Sequence, residues 1–120
     1  MKKLTKKVII WGLVIVILAI SINAIVKGSS TPGELDSFAT CLTSKGVAMY
    51  GTSWCSHCQN QKEMFGKSFK KINFIDCDFK SAECYANGIQ SYPTWRINGE
   101  NYVGVQQLSR LSSLTGCPLN

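Results

Sequence analysis

The sequence predicts an α/β domain, with a central mixed sheet flanked by helices, preceded by one N-terminal transmembrane helix. The apolar stretch 8–26 carries no charge and, as a helix of about 28 Å, matches a bilayer core. From residue 34 onward, short runs with strand character alternate with segments of helical spacing. Strands that are joined through helices form parallel or mixed sheets with helices on their faces.

The N-terminal segment has the composition of a membrane anchor. Residues 1–7 carry four lysines ahead of the uncharged stretch 8–26. Because basic flanks stay in the cytoplasm, we expect a single-pass plasma-membrane protein whose N-terminus is cytoplasmic and whose domain lies outside the cytoplasm. A cleaved signal peptide is the alternative, although Ile22-Asn23-Ala24 matches a cleavage site poorly. Residues 27–33, rich in turn formers, predict a linker.

The net charge of +6 does not indicate nucleic-acid binding. Residues 1–27 hold five lysines and no acid, whereas residues 28–120 hold eight basic and seven acidic residues. The basic excess is therefore mostly a topology signal. No basic patch for a nucleic acid is expected.

Residues 34–120 are predicted to form one domain, and its first elements follow from apolar spacing. Four apolar side chains recur at helical intervals before the helix-ending Lys45-Gly46, at Leu35, Phe38, Ala39 and Leu42. The run 47–50 predicts a short buried strand. A helix is predicted from Cys55 to about Phe69, and Gly66 marks a kink or break in it.

The second half of the domain continues this alternation. Strand character returns at residues 72–77, 94–97 and 102–105. The last two strands flank Asn98-Gly99, a dipeptide typical of a two-residue hairpin turn. Helices are predicted over residues 81–86 and 107–114.

The motif Trp54-Cys55-Ser56-His57-Cys58 follows the first strand and carries the chemistry. A helix that begins at Cys55 directs unpaired backbone N–H groups and its positive dipole end at that sulfur, which favours the nucleophilic thiolate. Cys58 lies one turn later on the same face and within reach of a disulfide. We therefore predict a redox-active pair, with Cys55 as the nucleophile and Cys58 as the more buried resolving cysteine.

His57 lies between the two cysteines and is the third predicted catalytic residue. As a hydrogen-bond donor or a cation it stabilises the Cys55 thiolate, which makes the disulfide more oxidising. The alternative is an exposed helix residue with little effect.

Six cysteines in so short an exported chain indicate disulfides. The four outside the motif allow three pairings. We favour Cys77–Cys84, which closes a short loop, and Cys41–Cys117, which joins the first and last helices of the domain. The alternative for Cys77–Cys84 is a second redox-active pair. No metal site is expected, because these cysteines do not supply a second CxxC at zinc-ligand spacing.

Further residues resemble a known family. The strand before the CxxC, the later Tyr92-Pro93-Thr94 and the final helix look like the thioredoxin fold over roughly residues 34–117. The closer resemblance is to the DsbA-like, disulfide-forming thioredoxin-like domain that is fused to, or works beside, vitamin K epoxide reductase homologues. The motifs that carry this resemblance are Met49-Tyr50-Gly51, Trp54-Cys55-x-His57-Cys58, Gln61-Lys62, Phe65-Gly66, Gly88-Ile89-Gln90, Tyr92-Pro93-Thr94-Trp95 and Ile97-Asn98-Gly99.

The resemblance implies a substrate groove and a partner. It implies a cis Tyr92–Pro93 bond that faces the CxxC, and client-binding roles for Trp54, Tyr92, Pro93 and Thr94. It implies no bound cofactor, because the redox group is the disulfide itself. By the same resemblance, we expect clients that are proteins with cysteine thiols, and a separate membrane oxidase like vitamin K epoxide reductase that passes the electrons to quinone.

Met49 favours oxidation over reduction. Thioredoxins proper carry a buried acid at this position, six residues before the first cysteine, and this chain has no carboxylate there. The sequence therefore predicts an extracytoplasmic protein thiol–disulfide oxidoreductase that oxidises client thiols. Two alternatives stay open: a disulfide reductase or isomerase, and a non-catalytic thioredoxin-like module that binds peptides or metal.

Overall fold

The computed structural model describes residues 2–26 and 33–119, and for residues 21–26 the backbone alone. The chain divides into two compact units, residues 1–31 and 32–120. Except for Gly33, the predicted linker lies outside the described residues.

The first unit is built on helix α1, Lys2–Val26. Its apolar side chains are exposed over the part whose side chains are described, residues 2–20. Among the described residues, no helix is both long enough and apolar enough to span a bilayer. The span expected over residues 8–26 extends into residues whose side chains are not described, and it stays a prediction.

The second unit is an α/β fold around a mixed four-stranded sheet. Its elements in chain order are α2 (Asp36–Ser44), β1 (Ala48–Gly51), α3 (Ser56–Phe65), β2 (Asn73–Asp76), α4 (Ser81–Ala86), β3 (Thr94–Ile97), β4 (Glu100–Val103) and α5 (Leu108–Thr115). The strand order is β2-β1-β3-β4, in which β1 runs parallel to β2 and antiparallel to β3. This confirms the predicted mixed sheet with helices between its strands.

Alternate residues of β1 enter two separate cores. Met49 joins the larger one, with Phe38 and Leu42 of α2, Phe65 of α3 and Leu111 of α5. The neighbouring residues of β1 join a smaller core on the other face, made of Ala48, Tyr50, Ile75, Cys77 and Cys84. Every residue of β1 is buried, so this strand is held in place from both faces, and the CxxC motif follows it in the chain.

Two element boundaries differ from the sequence prediction. Helix α3 ends at Phe65, because Gly66 has a φ of 54° and a 3-10 helix, Gly66–Lys71, follows it. Strand β4 begins at Glu100 rather than at residue 102. Asn98 and Gly99 have φ values of 51° and 81°, so the turn closes in two residues and pairing resumes at once with Ile97 opposite Glu100.

Candidate active site

The two cysteines of the motif sit at the start of α3, directly beyond the end of β1. Cys55 is the N-cap residue of the helix, and its sulfur accepts a hydrogen bond from the backbone N–H of Cys58 at 3.2 Å. Both cysteines are free thiols here. Cys55 is 7% exposed and Cys58 is fully buried, so a reagent from solvent reaches Cys55 first.

Cys58 is held in its protonated form. Burial raises the pKa of Cys58 to about 11, and its side-chain hydrogen bond to Cys55 acts in the same direction. A backbone hydrogen bond with Thr52 and the positive charge of Lys62 lower that pKa and so oppose the rise. At neutral pH, Cys58 is therefore a thiol.

Gly51 makes room for the buried sulfur. A Cβ atom at this position would lie 2.7 Å from Cys58 Sγ and 3.2 Å from Phe74 Cε2. Thr52, the next residue, is fully buried, and its Oγ1 has no hydrogen-bond partner in the described part of the chain. The end of β1 thus packs directly against the first turn of α3.

The two other predicted residues of the motif lie on the outside. His57 is exposed in the first turn of α3, between the two buried cysteines. Trp54 is 70% exposed, yet its indole Nε1 donates to Asp78 Oδ2 at 2.9 Å. Its ring also meets Tyr92 edge to face, with 6.2 Å between the ring centroids. Trp54 is therefore an exposed aromatic surface with a fixed orientation.

The Tyr92-Pro93-Thr94 segment leads into β3. The Tyr92–Pro93 peptide bond is cis, and Tyr92 packs against the core cluster that contains both motif cysteines. Pro93 and Thr94 are buried, and the Thr94 hydroxyl donates to the Ser91 carbonyl oxygen at 2.7 Å. The Thr94 hydroxyl is thus occupied by a hydrogen bond within the turn.

Gln61 joins α3 to β3 and to the segment after β4, and no role was predicted for it from the sequence. It is fully buried, and its Oε1 accepts from Trp95 Nε1 at 3.0 Å and from the Gln106 backbone N–H at 2.7 Å. Its Nε2 donates to the Gln106 carbonyl oxygen at 3.0 Å. The sequence does hold one indication of this role: Gln61 is an amide side chain on the apolar side of α3, three residues after Cys58.

The remaining four cysteines form two disulfides, Cys41–Cys117 and Cys77–Cys84. The first joins α2 to the segment after α5. The second joins the end of β2 to α4, and both of its residues are at most 5% exposed. Within residues 2–26 and 33–119, no group of three or more His, Cys, Asp or Glu side chains is arranged to hold a metal ion.

A curated relative shares sequence with most of the chain. The chain is 36% identical over 104 residues to the thiol-disulfide oxidoreductase LTO1 of Arabidopsis thaliana. The match takes in 79% of this chain but 27% of that protein, so the chain spans about a quarter of the relative's length. No family model matches the chain.

Solved thioredoxins overlap with the chain in part. A mutant thioredoxin from Halobacterium salinarum is 23% identical, covers 57% of this chain and 73% of its own, and gives a TM-score of 0.44. A thioredoxin from Nicotiana alata is 18% identical, covers 72% of this chain and 94% of its own, and gives a TM-score of 0.47.

Proposed function

We propose that the Cys55–Cys58 pair exchanges disulfides with client proteins, as part of a thioredoxin-like domain homologous to a segment of the thiol-disulfide oxidoreductase LTO1. The observation that carries the proposal is the position of the two thiols. Cys55 caps α3 and is the more accessible sulfur, whereas Cys58 is buried one turn behind it. A nucleophile in front of a resolving cysteine is the arrangement that disulfide exchange requires.

In the oxidising direction, the domain starts with a Cys55–Cys58 disulfide. A client thiolate attacks Cys55 Sγ, so a client–Cys55 bond forms, the Cys55–Cys58 bond breaks, and Cys58 leaves as a thiolate that takes up a proton. A second client thiolate then attacks the client sulfur, and Cys55 leaves. The client loses two electrons and the Cys55–Cys58 pair gains them.

We assign His57, Trp54 and Tyr92 supporting roles in this exchange. His57 is exposed beside Cys55 and can stabilise its thiolate as a donor or a cation. Trp54 and Tyr92 form an edge-to-face pair next to the nucleophile and offer an apolar surface for a client segment. The backbone at Tyr92, Pro93 and Thr94 would align that segment against Cys55.

We propose that the domain oxidises client thiols. A separate membrane protein like vitamin K epoxide reductase would then regenerate the Cys55–Cys58 disulfide and pass the electrons to quinone. Met49 supports this direction, because a buried acid that would help to deprotonate Cys58 is absent at this position of β1. Helix α1 would anchor the domain outside the cytoplasm, and its exposed apolar side chains support an anchor. The domain itself would need no bound cofactor.

We also propose that the other two disulfides are structural. Cys77, Cys84 and Cys117 are buried, so exchange reagents do not reach them readily. The Cys41–Cys117 disulfide spans 76 residues and the Cys77–Cys84 disulfide spans 7. In the chain-entropy account these would contribute roughly 4–5 and 2–3 kcal/mol to stability, respectively.

Trapping of mixed disulfides tests the proposed function. In the full chain, Cys58→Ala removes the resolving thiol, so clients should accumulate as disulfides to Cys55. The matched control is Cys55→Ala, in which the remaining thiol is that of the buried Cys58. We expect reductant-sensitive adducts with Cys58→Ala and none with Cys55→Ala, and the absence of adducts in both would refute the catalytic role.

The reduction potential of the pair tests the direction. A value well above the roughly −270 mV of thioredoxin, toward the roughly −120 mV of DsbA, is expected for an oxidant. A value at or below that of thioredoxin would assign the domain to disulfide reduction instead.

A further inference from the structure

A lysine lies behind the buried cysteine, one turn further along α3. Lys62 follows Cys58 by four residues on α3, so the two side chains lie one above the other on the same helix face. Lys62 is half-buried, and its Nζ lies 4.1 Å from the ring centroid of Phe74 and 5.4 Å from that of Phe69. Among the described residues, the ion pair that forms joins Lys80 to Glu83. Within that part of the chain, Lys62 therefore has no carboxylate at salt-bridge distance.

Phe74 connects this cation to the sulfur. Its Cε2 atom and Cys58 Sγ both lie within 3.2 Å of the point where a Gly51 Cβ would stand. The Phe74 ring therefore holds the Lys62 ammonium over its face and, at Cε2, lies beside the same Gly51 position as Cys58 Sγ. In so apolar a setting the field of an ammonium is screened less than it is at an open surface.

Within the described part of the chain, few charged or titratable groups surround Cys58. On α3 the titratable neighbours are Cys55, which shares a hydrogen bond with Cys58, and the exposed His57. On β2, Asp76 is in register with Gly51, and its Oδ1 accepts from the Asp78 backbone N–H at 3.0 Å. The side chains that β1, β3 and the flanking helices add to this core are uncharged, among them Met49, Trp95, Phe38 and Leu111.

We propose that Lys62 is a positioning residue for disulfide exchange, whose ammonium, held over Phe74, stabilises the thiolate of Cys58 as this sulfur leaves the Cys55–Cys58 disulfide. This inference rests on the proposed function. When a thiolate attacks Cys55, the electron pair of the broken S–S bond goes to Cys58 Sγ, which is fully buried. A leaving thiolate of lower basicity departs faster, and a nearby cation lowers that basicity. The charge of Lys62 acts on Cys58 in this sense.

The test is the rate at which the oxidised full chain, in detergent, reacts with dithiothreitol between pH 6 and 8. Acid quenching followed by alkylation and mass measurement counts the reduced pairs. We expect Lys62→Gln to react about three- to tenfold more slowly at each pH once the rate is normalised to the dithiothreitol thiolate. Lys62→Arg should restore most of the rate, because it returns the charge. Lys70→Gln removes an exposed lysine after α3 and should leave the rate unchanged.

A second measurement separates an electrostatic role from a packing role. In a Cys55→Ser background, the rate of alkylation of Cys58 against pH reports its ionisation, and Lys62→Gln should shift this profile to higher pH. If Lys62→Gln reacts with dithiothreitol as fast as the wild type, or slows no more than Lys70→Gln does, the inference is wrong. The proposed function still stands in that case, provided that the wild-type disulfide reacts. A wild-type disulfide that does not react with thiols refutes both.

Discussion

The Cα atom of Gly51 lies against the sulfur of Cys58, so closely that a methyl group on Gly51 would stand 2.7 Å from Cys58 Sγ. Cys58 of α3 thus packs against the last residue of β1, where there is room for a glycine but not for a side chain. We expect Gly51→Ala to lower the free energy of unfolding by about 1–3 kcal/mol, the usual cost of overpacking. Denaturant titration of the reduced protein measures this change.

A double-mutant cycle locates the strain that this substitution creates. In a Cys58→Ala background the sulfur is gone, so Gly51→Ala should cost markedly less, although the contact with Phe74 remains. An equal cost in both backgrounds would show that the clash does not involve Cys58.

Gln61 is the buried polar side chain on which the packing of α3 against β3 depends. Gln61→Met has a similar shape but leaves Trp95 Nε1 and the Gln106 backbone N–H without their acceptor. We expect a loss of about 2–4 kcal/mol in the free energy of unfolding, because both donors stay buried and unpaired. Chemical denaturation measures it.

Gln59 offers the matched control for this substitution. It lies two residues earlier on α3 and is exposed, and its side-chain Nε2 donates to the Ser53 carbonyl oxygen. Gln59→Met should change the free energy of unfolding by less than about 1 kcal/mol. Similar losses at both positions would contradict the assigned role of Gln61.

The elements of the domain could be predicted because each depends on a local pattern. Apolar spacing predicted α2, and Asn98-Gly99 predicted the hairpin between β3 and β4. The start of β4 was misplaced because a two-residue turn fixes the first pair of strand residues, and Glu100 gives no strand signal of its own. Local patterns thus determine the type of an element more securely than its boundaries.

The surroundings of the thiols depend on contacts that no local pattern records. The motif identified Cys55 and Cys58, but the role of Gly51 follows from the approach of α3 to β1. Likewise, the cation over Phe74 comes from α3 whereas the ring comes from β2. Such pairs are set by the packing of one element against another, so they become visible only in the folded chain.

The hydrogen bond from Trp54 to Asp78 joins the exposed aromatic residue beside Cys55 to the loop after β2. Asp78→Ala frees the indole, so the domain should hold a peptide client less well while its reaction with a small thiol stays unchanged. We expect the rate with a cysteine-containing peptide to fall several-fold and the rate with dithiothreitol to stay within about twofold.

Asp78→Asn is the control, because its side-chain oxygen still accepts from the indole. It should keep most of the rate with the peptide. If Asp78→Ala slows peptide and dithiothreitol equally, the bond supports the nucleophile rather than the client surface.

The raised pKa of Cys58 predicts that the reduced domain loses stability in alkaline solution. Burial raises this pKa to about 11, whereas an unfolded cysteine titrates near 8.5. Between these values the folded state binds the proton and the unfolded state has released it, so stability is full below about pH 8.5 and falls as the pH rises through about 11. The loss should approach about 3 kcal/mol. Denaturant titrations from pH 8 to 11, with the Cys55–Cys58 pair alone reduced, should show a steeper decline for the wild type than for Cys58→Ser, which has no thiol to titrate. The stability of the oxidised wild type should decline with pH as little as that of Cys58→Ser. Parallel curves of stability against pH for all three proteins would contradict the raised pKa of the buried Cys58 thiol.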